Sequence, residues 1–469
     1  MPATRPNILL ITADDMNWDA VGAYGCETPG TTPHIDKLAT EGMRFDQAHV
    51  TIAVCQPSRS ALMTGRYPHR SGGEGFHHLR HADVPILPRL LRDAGYTVGV
   101  LGKVGHSTPH EDFQWDVQPD MEELGMGRSP AVYGKYAESF FQSAQDADQP
   151  FFMMANSHDP HRPFVGNDPG EWYTQHERPA SEPSRTFTLE QVTVPGFLPD
   201  LPEVRREIAE YYSSVRRCDD TVGELLGALE RTGAAENTLV MFLSDNGMAF
   251  PFSKTNCYLH STRTPWIARW PARIAAGGVD REHFISGVDF LPTAIEAAGV
   301  AMPEGVDGGS FLSLLDGQQQ DGRELVFTQF HQTAMRRNYP MRCVQDGRFG
   351  YIWNPWADGE RVFRNESQSG RTMPAMQRAA ENDPAIAQRV DMFLYRVPEE
   401  LYDFERDPDA LKNLVDSPEH QDELNRLRSA LAEWMGQTGD PAGEYFTERA
   451  SREAMERLMQ AQTQTLGGE

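Results

Sequence analysis

Four short apolar runs within the first 250 residues are each followed by polar or charged residues. The runs and the residues after them are 7–12 with Asp14 and Asp15, 97–101 with Lys103, 151–155 with His158, and 238–243 with Asp245 and Asn246. Runs of this length and composition predict buried strands. Helical periodicity between them predicts an α/β fold, with a mostly parallel sheet covered by helices on both faces. Ligands bind outside the carboxyl ends of such strands, so we expect these polar side chains to converge on one site.

The pattern becomes more mixed after about residue 335. The elements that it predicts there are two strands of a hairpin within 341–354, a strand at 400–404 and an amphipathic helix over 419–436. We therefore expect two units. Residues 1–335 would form a catalytic domain, and residues 336–469 a smaller α+β subdomain with a short antiparallel sheet.

Charge and composition exclude several classes of protein. The chain has 469 residues, and 68 acids against 43 lysines and arginines give it a formal charge of -25. A surface this negative repels nucleic acid, and an anionic ligand would have to be bound by local cations. No apolar run approaches the ~18 residues of a membrane span, and the first residues lack a signal-peptide pattern. We therefore expect a cytoplasmic globular protein, although a secreted chain trimmed of its signal would look the same.

Cys55 stands before a predicted helix, in the segment CQPSR that ends at Arg59. The positive end of a helix dipole and a nearby arginine lower the pKa of a thiol and attract an anion, which predicts a reactive cysteine. A buried structural cysteine is the alternative interpretation. A cysteine-phosphatase loop is a third, but that loop has more residues between Cys and Arg than are found here. The other cysteines form no Cys-x-x-Cys pair, which argues against a disulfide framework or a zinc knuckle.

Asp14, Asp15, Asp245 and Asn246 offer only oxygen ligands, and this set predicts a hard cation such as Ca²⁺ or Mg²⁺. Neighbouring residues of a strand point to opposite faces, so Asp14 and Asp15 can share one ion only where the strand has ended. Any one of these acids alone would be interpreted as a helix cap or a surface charge. Their common position after predicted strands favours a metal site.

Five segments in the same order resemble the type I sulfatases, a family of the alkaline-phosphatase-like superfamily. They are PNILLITADD, CQPSRSALMTGRYPHR, LSDNG, VDFLPTAIEAAG and ELYDFERDPDALKNL. The segments SHDPHRPF, PFSKTN and MRCVQDGRFGYIWN resemble most the heparan N-sulfatase branch of that family. Five ordered matches at consistent spacing make a chance resemblance improbable. The resemblance implies an alkaline-phosphatase-like α/β fold with a mostly parallel sheet and a small C-terminal subdomain.

The same resemblance implies a chemistry for position 55. A formylglycine-generating enzyme would oxidise Cys55 to Cα-formylglycine, whose hydrated form attacks sulfur and then expels sulfate. Position 55 would then also contact the metal, for which Ca²⁺ is favoured over Mg²⁺. Arg59, Lys103 and Lys254 match the cations of the family, which stabilise the charge on the sulfate oxygens.

Two further residues match histidines of the family. We expect His158 to act as the general acid toward the leaving group, and His106 to assist the formylglycine diol. The two residues between Lys103 and His106 are typical of the iduronate-sulfatase-like branch. Lys254 stands where the heparan N-sulfatase pattern has arginine. A compact ammonium group therefore replaces a planar guanidinium. The family is therefore better defined than the branch.

The remaining candidates concern the substrate. They are His77, His78, Asp159, His161 and Arg162. With His81, the first two form the segment HHLRH, which we interpret as the rim of a substrate pocket or plain surface, with a zinc cluster as the alternative. The other three are expected to contact a sugar or to form a salt-linked loop.

The expected function is hydrolysis of a sulfate ester or sulfamate on a small sulfated sugar such as N-sulfoglucosamine. A broad arylsulfatase and a phosphonate or phosphodiester hydrolase are alternatives on the same fold, because all these substrates are tetrahedral anions. The complete set of catalytic-type residues argues against an inactive binding protein. The negative charge favours an enzyme that removes terminal groups from short fragments, and the sequence leaves open whether the chain forms a homo-oligomer.

Overall fold

The computed structural model describes residues 5–81, 83–109, 113–166 and 181–468. These residues form a seven-stranded sheet with helices on both faces, followed by a four-stranded antiparallel sheet. The predicted fold class is therefore confirmed. No helix in the described ranges is long and apolar enough to cross a membrane.

The large sheet is mostly parallel. Its strands in spatial order are β4 (Thr97–Leu101), β5 (Phe151–Pro160), β1 (Asn7–Asp14), β6 (Thr238–Ser244), β7 (Trp266–Arg269), β2 (Met43–Phe45) and β8 (Gly278–Asp280). The first four are parallel to one another, and β7 runs antiparallel to both of its neighbours. Two short strands, β3 (Ala48–His49) and β9 (Ile285–Ser286), pair separately.

Helices cover both faces of this sheet. In chain order, the helices of the described residues are α1 (Pro33–Glu41), α2 (Cys55–Thr64), α3 (Pro68–Ser71), α4 (Leu87–Asp93), α5 (Pro130–Asp146), α6 (Pro202–Arg231), α7 (Leu259–Thr262), α8 (Phe290–Ala297), α9 (Leu312–Leu315), α10 (Thr372–Ala380), α11 (Pro384–Tyr395), α12 (Gln421–Thr438), α13 (Gly443–Phe446) and α14 (Arg452–Leu466). Of these, α12 and α14 pack against the four-stranded sheet. Leu9 and Ile11 of β1 enter one core, whereas Ile8 and Leu10 enter the other. Alternate residues of a strand point to opposite faces, so a strand covered on both sides is apolar throughout.

The second sheet has the order β10 (Val326–Gln332), β11 (Asn338–Gln345), β12 (Phe349–Trp353) and β13 (Glu399–Asp403). The predicted hairpin corresponds to β11 and β12, and the predicted C-terminal helix to α12. Because β10 already belongs to this sheet, the subdomain begins before residue 336, where we had placed the boundary. A buried ion pair between Arg342 and Asp440 ties β11 to the segment after α12.

Candidate active site

Asp14 and Asp15 stand where β1 ends. Asp14 is the last residue of the strand, and Asp15 has a backbone φ of 71°, in the left-handed region. This turn removes the strand alternation that would send the two side chains to opposite faces. Both carboxylates are fully buried, so they can face the same space.

The residues after β6 complete an acidic cluster. The amide N–H of Asp15 donates to Asp245 Oδ1 at 3.2 Å, and Asn246 Nδ2 donates to Asp15 Oδ1 at 2.7 Å. Asp14, Asp15 and Asp245 each present an oxygen atom, and these atoms lie within 4.8 Å of one another. The structure thus brings together the four predicted metal ligands that come from the ends of β1 and β6.

Each of the three carboxylates is contacted by a different cation. Arg59 Nη2 lies 2.7 Å from Asp245 Oδ2, and Lys254 Nζ lies 2.7 Å from Asp15 Oδ1. Lys103 contacts Asp14, and it is turned toward the cluster by its own left-handed backbone at φ 52° after β4. The three cations that the resemblance implied therefore surround the cluster, and the pattern of strand ends had also predicted Lys103.

The pairing does not neutralise all three acids. Burial would raise the pKa of Asp14, but Lys103, with Arg59 and Lys254 behind it, outweighs burial and holds that pKa well below its usual range. Burial, with the Asp14 carboxylate nearby, raises the pKa of both Asp15 and Asp245 to about 7. The positive charge near the carboxylates of Asp15 and Asp245 is therefore too small to offset their burial and mutual repulsion.

A hard divalent cation fits this deficit. Asp15 Oδ2 and Asn246 Oδ1 are buried acceptors that receive no hydrogen bond from any described residue. Buried acceptors are ordinarily satisfied, so two orphaned oxygens facing a carboxylate cluster indicate a missing partner. The donor atoms are all oxygens, which suits Ca²⁺ or Mg²⁺.

Cys55 begins α2 and is buried beside this cluster. Its Sγ donates to Asp14 Oδ1 at 3.4 Å. Our expectation of a lowered thiol pKa is wrong. Burial raises the pKa of Cys55 well above its usual value, and the carboxylate of Asp14 adds to that shift. The helix dipole does not overcome three nearby carboxylates, so the unmodified side chain is a neutral thiol and a poor nucleophile.

Arg59 is enclosed completely by the protein. Besides Asp245, its guanidinium donates to Thr12 Oγ1 at 2.7 Å and to Asn156 Oδ1 at 2.6 Å. Lys103 has 9% of its side chain exposed, and Lys254 has 1%. Lys103 is thus the most accessible of the three cations, and Arg59 holds the ends of β1, β5 and β6 together.

His158 is poorly placed to be a general acid. The strand β5 continues to Pro160, so His158 lies inside it and not after its end. Its Nε2 accepts the backbone N–H of Lys103 at 3.2 Å, and its ring packs against Gly127, where a Cβ would lie 2.2 Å from Cδ2. Burial, together with Lys103, lowers its pKa well below the usual range. The prediction for His158 is therefore corrected, because its ring is neutral and its Nε2 is occupied.

His161 is the histidine that faces the cluster. It is the first residue after β5, and its Nδ1–H donates to the carbonyl of Arg162 at 2.7 Å. That bond leaves Nε2 directed at the acids, 3.9 Å from Asp15 Oδ2. Its ring also lies close to the Cys55 Sγ, since ligand atoms of Asp14, Cys55 and His161 are within 4.8 Å of one another. The sequence interpretation had placed His161 among the residues that contact a sugar or form a salt-linked loop.

The pKa of His161 depends on what fills the site. Burial and the charges of Lys103 and Lys254 lower it to about 4. An anionic group bound between these lysines would offset their charge and raise that pKa. The side chain is 29% exposed, so it can reach a ligand.

His106 and the HHLRH segment lie nearer the opening. His106 packs edge-on against Phe76, and burial with Lys103 lowers its pKa to about 3. Gln56, next to Cys55, donates to the backbone carbonyl of His77 at 3.0 Å, which fixes this segment over the start of α2. His77 is half-buried and His78 is exposed, as expected for a pocket rim. Among the described residues, no potential metal cluster includes either of them.

Asp159 and Arg162 form structural ion pairs and are not placed for sugar contact. Asp159 is fully buried, and its carboxylate is shared between Arg128 at 3.1 Å and Arg217 at 2.7 Å. Arg162 pairs with Glu207 and donates to the carbonyl of Ala249 at 2.9 Å. The alternative of a salt-linked loop is the one that these contacts support.

Glu366 is a member of the site that the sequence interpretation missed. It begins a short 3₁₀ turn in the C-terminal part of the chain and contacts Lys254 Nζ. Burial would raise its pKa, but Lys254 and His161 lower it to about 2. The carboxylate is therefore ionised, and 36% of the side chain is exposed. Nothing in the segment FRNESQSG indicates this role, because the contact joins residues more than a hundred positions apart.

Family models match most of the chain. A model described as "Sulfatase" matches residues 6–300, and one described as "N-sulphoglucosamine sulphohydrolase, C-terminal" matches residues 248–356. Human N-sulphoglucosamine sulphohydrolase is 31% identical, and the alignment covers 93% of this chain and 91% of that protein. An ulvan-active sulfatase of Formosa agariphila is 29% identical over 93% of this chain and 81% of its own length.

Solved structures show the same fold. A protein in complex with its substrate D-glucosamine-2-N,6-O-disulfate has a TM-score of 0.66 at 20% identity, covering 93% of this chain and 99% of that one. The phosphonate monoester hydrolase of Agrobacterium radiobacter has a TM-score of 0.67 at 19% identity, covering 92% and 96%. At this identity the likeness concerns the fold alone, which is the predicted alkaline-phosphatase-like one.

The acidic cluster predicts stabilisation by one divalent cation. A cation at 100 times its Kd stabilises the folded chain by about 2.7 kcal/mol, so adding Ca²⁺ or Mg²⁺ to chelator-treated protein should raise the Tm. Asp15→Asn and Asp245→Asn should abolish the cation-dependent rise. Asp289→Asn is the control, because Asp289 is also buried but accepts the N–H groups of Ser286 and Gly309 and belongs to no potential metal cluster of the described residues. A full cation response in Asp15→Asn would contradict this assignment.

Proposed function

The chain belongs to the sulfatase family, and we propose that it hydrolyses the sulfamate of a terminal N-sulfated glucosamine, using a formylglycine formed from Cys55. The observation that carries the proposal is the position of Cys55. Its side chain is the neutral group at the centre of buried carboxylates and lysines. A neutral thiol is a poor nucleophile there. Oxidation of this side chain to formylglycine would give the site a nucleophile that the cysteine does not provide.

Formylglycine at position 55 would supply the nucleophile. A divalent cation, for which we favour Ca²⁺, would supply positive charge next to this nucleophile and next to one oxygen of the sulfate. The ligands would be Asp14, Asp15, Asp245 and Asn246, together with position 55. Maturation by a formylglycine-generating enzyme is part of this proposal. Everything else in the mechanism is done by the side chains of the chain itself.

The lysines hold the sulfate group. Lys103 and Lys254 flank position 55 and can place positive charge against the equatorial oxygens, where negative charge builds as sulfur is attacked. Arg59 acts through Asp245, because it is fully buried and its Nη atoms donate to Asp245, Thr12 and Asn156. We therefore assign Arg59 a positioning role and the two lysines the contact with substrate.

His161 is the proton donor in this proposal. The Nδ1–H of His161 is fixed on the carbonyl of Arg162. When an arriving anion raises the pKa of the ring, the added proton is therefore held at Nε2, which faces the site. An amine or a sugar alkoxide leaves poorly without a proton, so the donor must lie on the side of the leaving group. His106, near the opening, remains the candidate for assistance at position 55.

Glu366 favours an amine as the leaving group. Its ionised carboxylate contacts Lys254 and lies in the pocket with His161. One ligand atom each of Glu366, His161 and Asp15 lie within 4.8 Å of one another. The Glu366 carboxylate already contacts Lys254, and its exposed part can attract a positively charged leaving group. Cleavage of a sulfamate releases an amine, which takes up a proton and becomes a cation, whereas cleavage of a sulfate ester releases a neutral alcohol. The similarity to N-sulphoglucosamine sulphohydrolase over nearly the whole chain supports the same substrate class.

A substrate panel tests the proposal directly. Protein produced with and without a formylglycine-generating enzyme should be compared on N-sulfoglucosamine, O-sulfated glucosamine, an aryl sulfate and a phosphonate monoester. We expect turnover of N-sulfoglucosamine to scale with the fraction of formylglycine at position 55, measured by peptide mass spectrometry. Cys55→Ala should be inactive and Cys26→Ala should keep its activity. Full turnover by wholly unmodified thiol would contradict the mechanism, and preference for the phosphonate would contradict the substrate class.

His161→Ala should slow the cleavage of N-sulfoglucosamine by about 10²–10⁴-fold, the usual contribution of a general acid. An activated aryl sulfate, whose leaving group needs no proton, should be affected far less. His158→Ala is the matched comparison, and it should lower stability without separating the two substrates. Kinetics on both substrates measure this difference. If His158→Ala, and not His161→Ala, separated them, the reassignment of the acid would be wrong.

Glu366→Gln keeps the size of the side chain and removes its charge. The ratio of kcat/KM for the sulfamate to that for an O-sulfate should fall about tenfold or more, the scale of one hydrogen bond to a charged group. Glu360→Gln, an exposed acid of the same subdomain, is the control. An equal loss on both substrates would show that Glu366 only positions Lys254.

A further inference from the structure

Glu207 is a buried carboxylate that no step of the proposed mechanism uses. It lies on α6 and is fully enclosed by the protein. Its Oε1 accepts from Arg162 and from the backbone N–H of Arg371 at 2.9 Å, and its Oε2 accepts the backbone N–H of Thr372 at 2.7 Å. Burial would raise the pKa of Glu207, but Arg162 and the two N–H groups outweigh burial and lower it, so the carboxylate is ionised. Buried charges bonded on both oxygens hold their partners in a defined geometry.

One set of these contacts leads to His161. The next residue is Arg162, and its backbone carbonyl accepts the Nδ1–H of the His161 ring at 2.7 Å. The guanidinium of Arg162 pairs with Glu207, donates to the carbonyl of Ala249 at 2.9 Å and lies 4.4 Å from the centre of the Phe164 ring. The residue whose carbonyl orients the proposed proton donor is therefore anchored on Glu207 through its own side chain.

The other set of contacts leads to Glu366. The 3₁₀ turn that begins at Glu366 is followed by Gly370 and then by α10, whose first N–H groups donate to Glu207. A Cβ at Gly370 would lie 2.1 Å from Glu207 Oε1, so a larger residue would push the turn away from the carboxylate. Before the turn, Asn365 donates to Thr255. Glu366 therefore lies between two points that are each fixed on the first unit.

We propose that Glu207 is a positioning residue of the reaction, which sets the spacing between His161 and Glu366 across the pocket. The inference rests on the proposed function, in which His161 gives a proton to the leaving amine and Glu366 stabilises the cation that results. Ligand atoms of these two residues and of Asp15 lie within 4.8 Å of one another. A displacement of about 1 Å in such an arrangement can cost about 10²-fold in rate. Lys103 and the acidic cluster are held by contacts at the strand ends, so binding of the sulfate group should depend little on Glu207.

Steady-state kinetics on the mature chain test this position. Glu207→Gln keeps the size of the side chain, removes its charge and turns an NH₂ group toward one of its donors. We expect kcat for N-sulfoglucosamine to fall by about 10–10²-fold with a smaller change in KM, whereas kcat for an activated aryl sulfate should change less than about twofold. A smaller folded fraction would lower both kcat values by the same factor, so the ratio of the two reports positioning. Equal losses on both substrates, or no loss on either, would overturn the inference.

Two further variants make the result specific. Glu203→Gln is the matched control, because Glu203 pairs with Arg378 and thus also joins α6 to α10, but at the exposed surface. It should leave the ratio unchanged. Arg162→Lys keeps a positive charge opposite Glu207 and loses the planar fork, so it should lower the same ratio to a smaller extent. This variant serves as the test if Glu207→Gln folds poorly.

Hydrogen exchange provides a measurement that does not need a substrate. In Glu207→Gln, peptides that cover residues 158–165 and 364–372 should exchange faster than in the unmutated chain, because both segments lose an anchor. Unchanged exchange in both segments would contradict the inference. Failure of the proposed function would appear separately, as no turnover of N-sulfoglucosamine by the unmutated mature chain. The ratio is then measured with O-sulfated glucosamine in its place, whose alkoxide also needs a proton.

Discussion

Three carboxylates occupy one buried space at the ends of β1 and β6, with oxygen atoms within 4.8 Å of one another. At this distance two negative charges repel by about 3–4 kcal/mol at an effective dielectric constant of ~20. The left-handed turn at Asp15 creates the crowding, and Arg59, Lys103 and Lys254 oppose it with one contact to each carboxylate. Two acceptor oxygens lack a hydrogen bond, and the pKa values of Asp15 and Asp245 are raised. The three cations therefore offset the repulsion between the carboxylates only in part. The need for a further cation, the neutral state of Cys55 and the charges available to a sulfate group all follow from this crowding.

The parallel sheet and the convergence of the acids at its carboxyl edge could be predicted because they depend on local sequence. Apolar runs define buried strands, and the acids after them meet at the carboxyl ends. We propose His161, and not the predicted His158, as the general acid, and the reason for this difference is also local. The apolar run of β5 stops at Ala155, but the strand continues through polar residues to Pro160. The first side chain beyond the strand is therefore His161, and His158 remains in the sheet against Gly127.

The C-terminal subdomain contributes what no local pattern could predict. Glu366 reaches the pocket through contacts between segments that are far apart in sequence, such as Asn365 with Thr255. An acid in a polar segment is ordinarily a surface charge, and only its contact with Lys254 indicates otherwise. In the proposed mechanism, the groups that act on the sulfate come from the first unit, whereas Glu366, which we propose distinguishes one leaving group from another, comes from the second. This division is consistent with substrate selection by surface segments on a rigid scaffold.

The central claim is that buried acids at the ends of β1 and β6 hold one hard cation against an oxidised position 55. A crystal structure of the mature chain grown with Ca²⁺ and a non-cleaved sulfated ligand measures this most directly. The account predicts one cation, bound by oxygens of Asp14, Asp15, Asp245 and Asn246 at about 2.3–2.6 Å, with formylglycine in place of Cys55. An unoxidised thiol in fully active crystals, or a pair of zinc ions at these ligands, would contradict it.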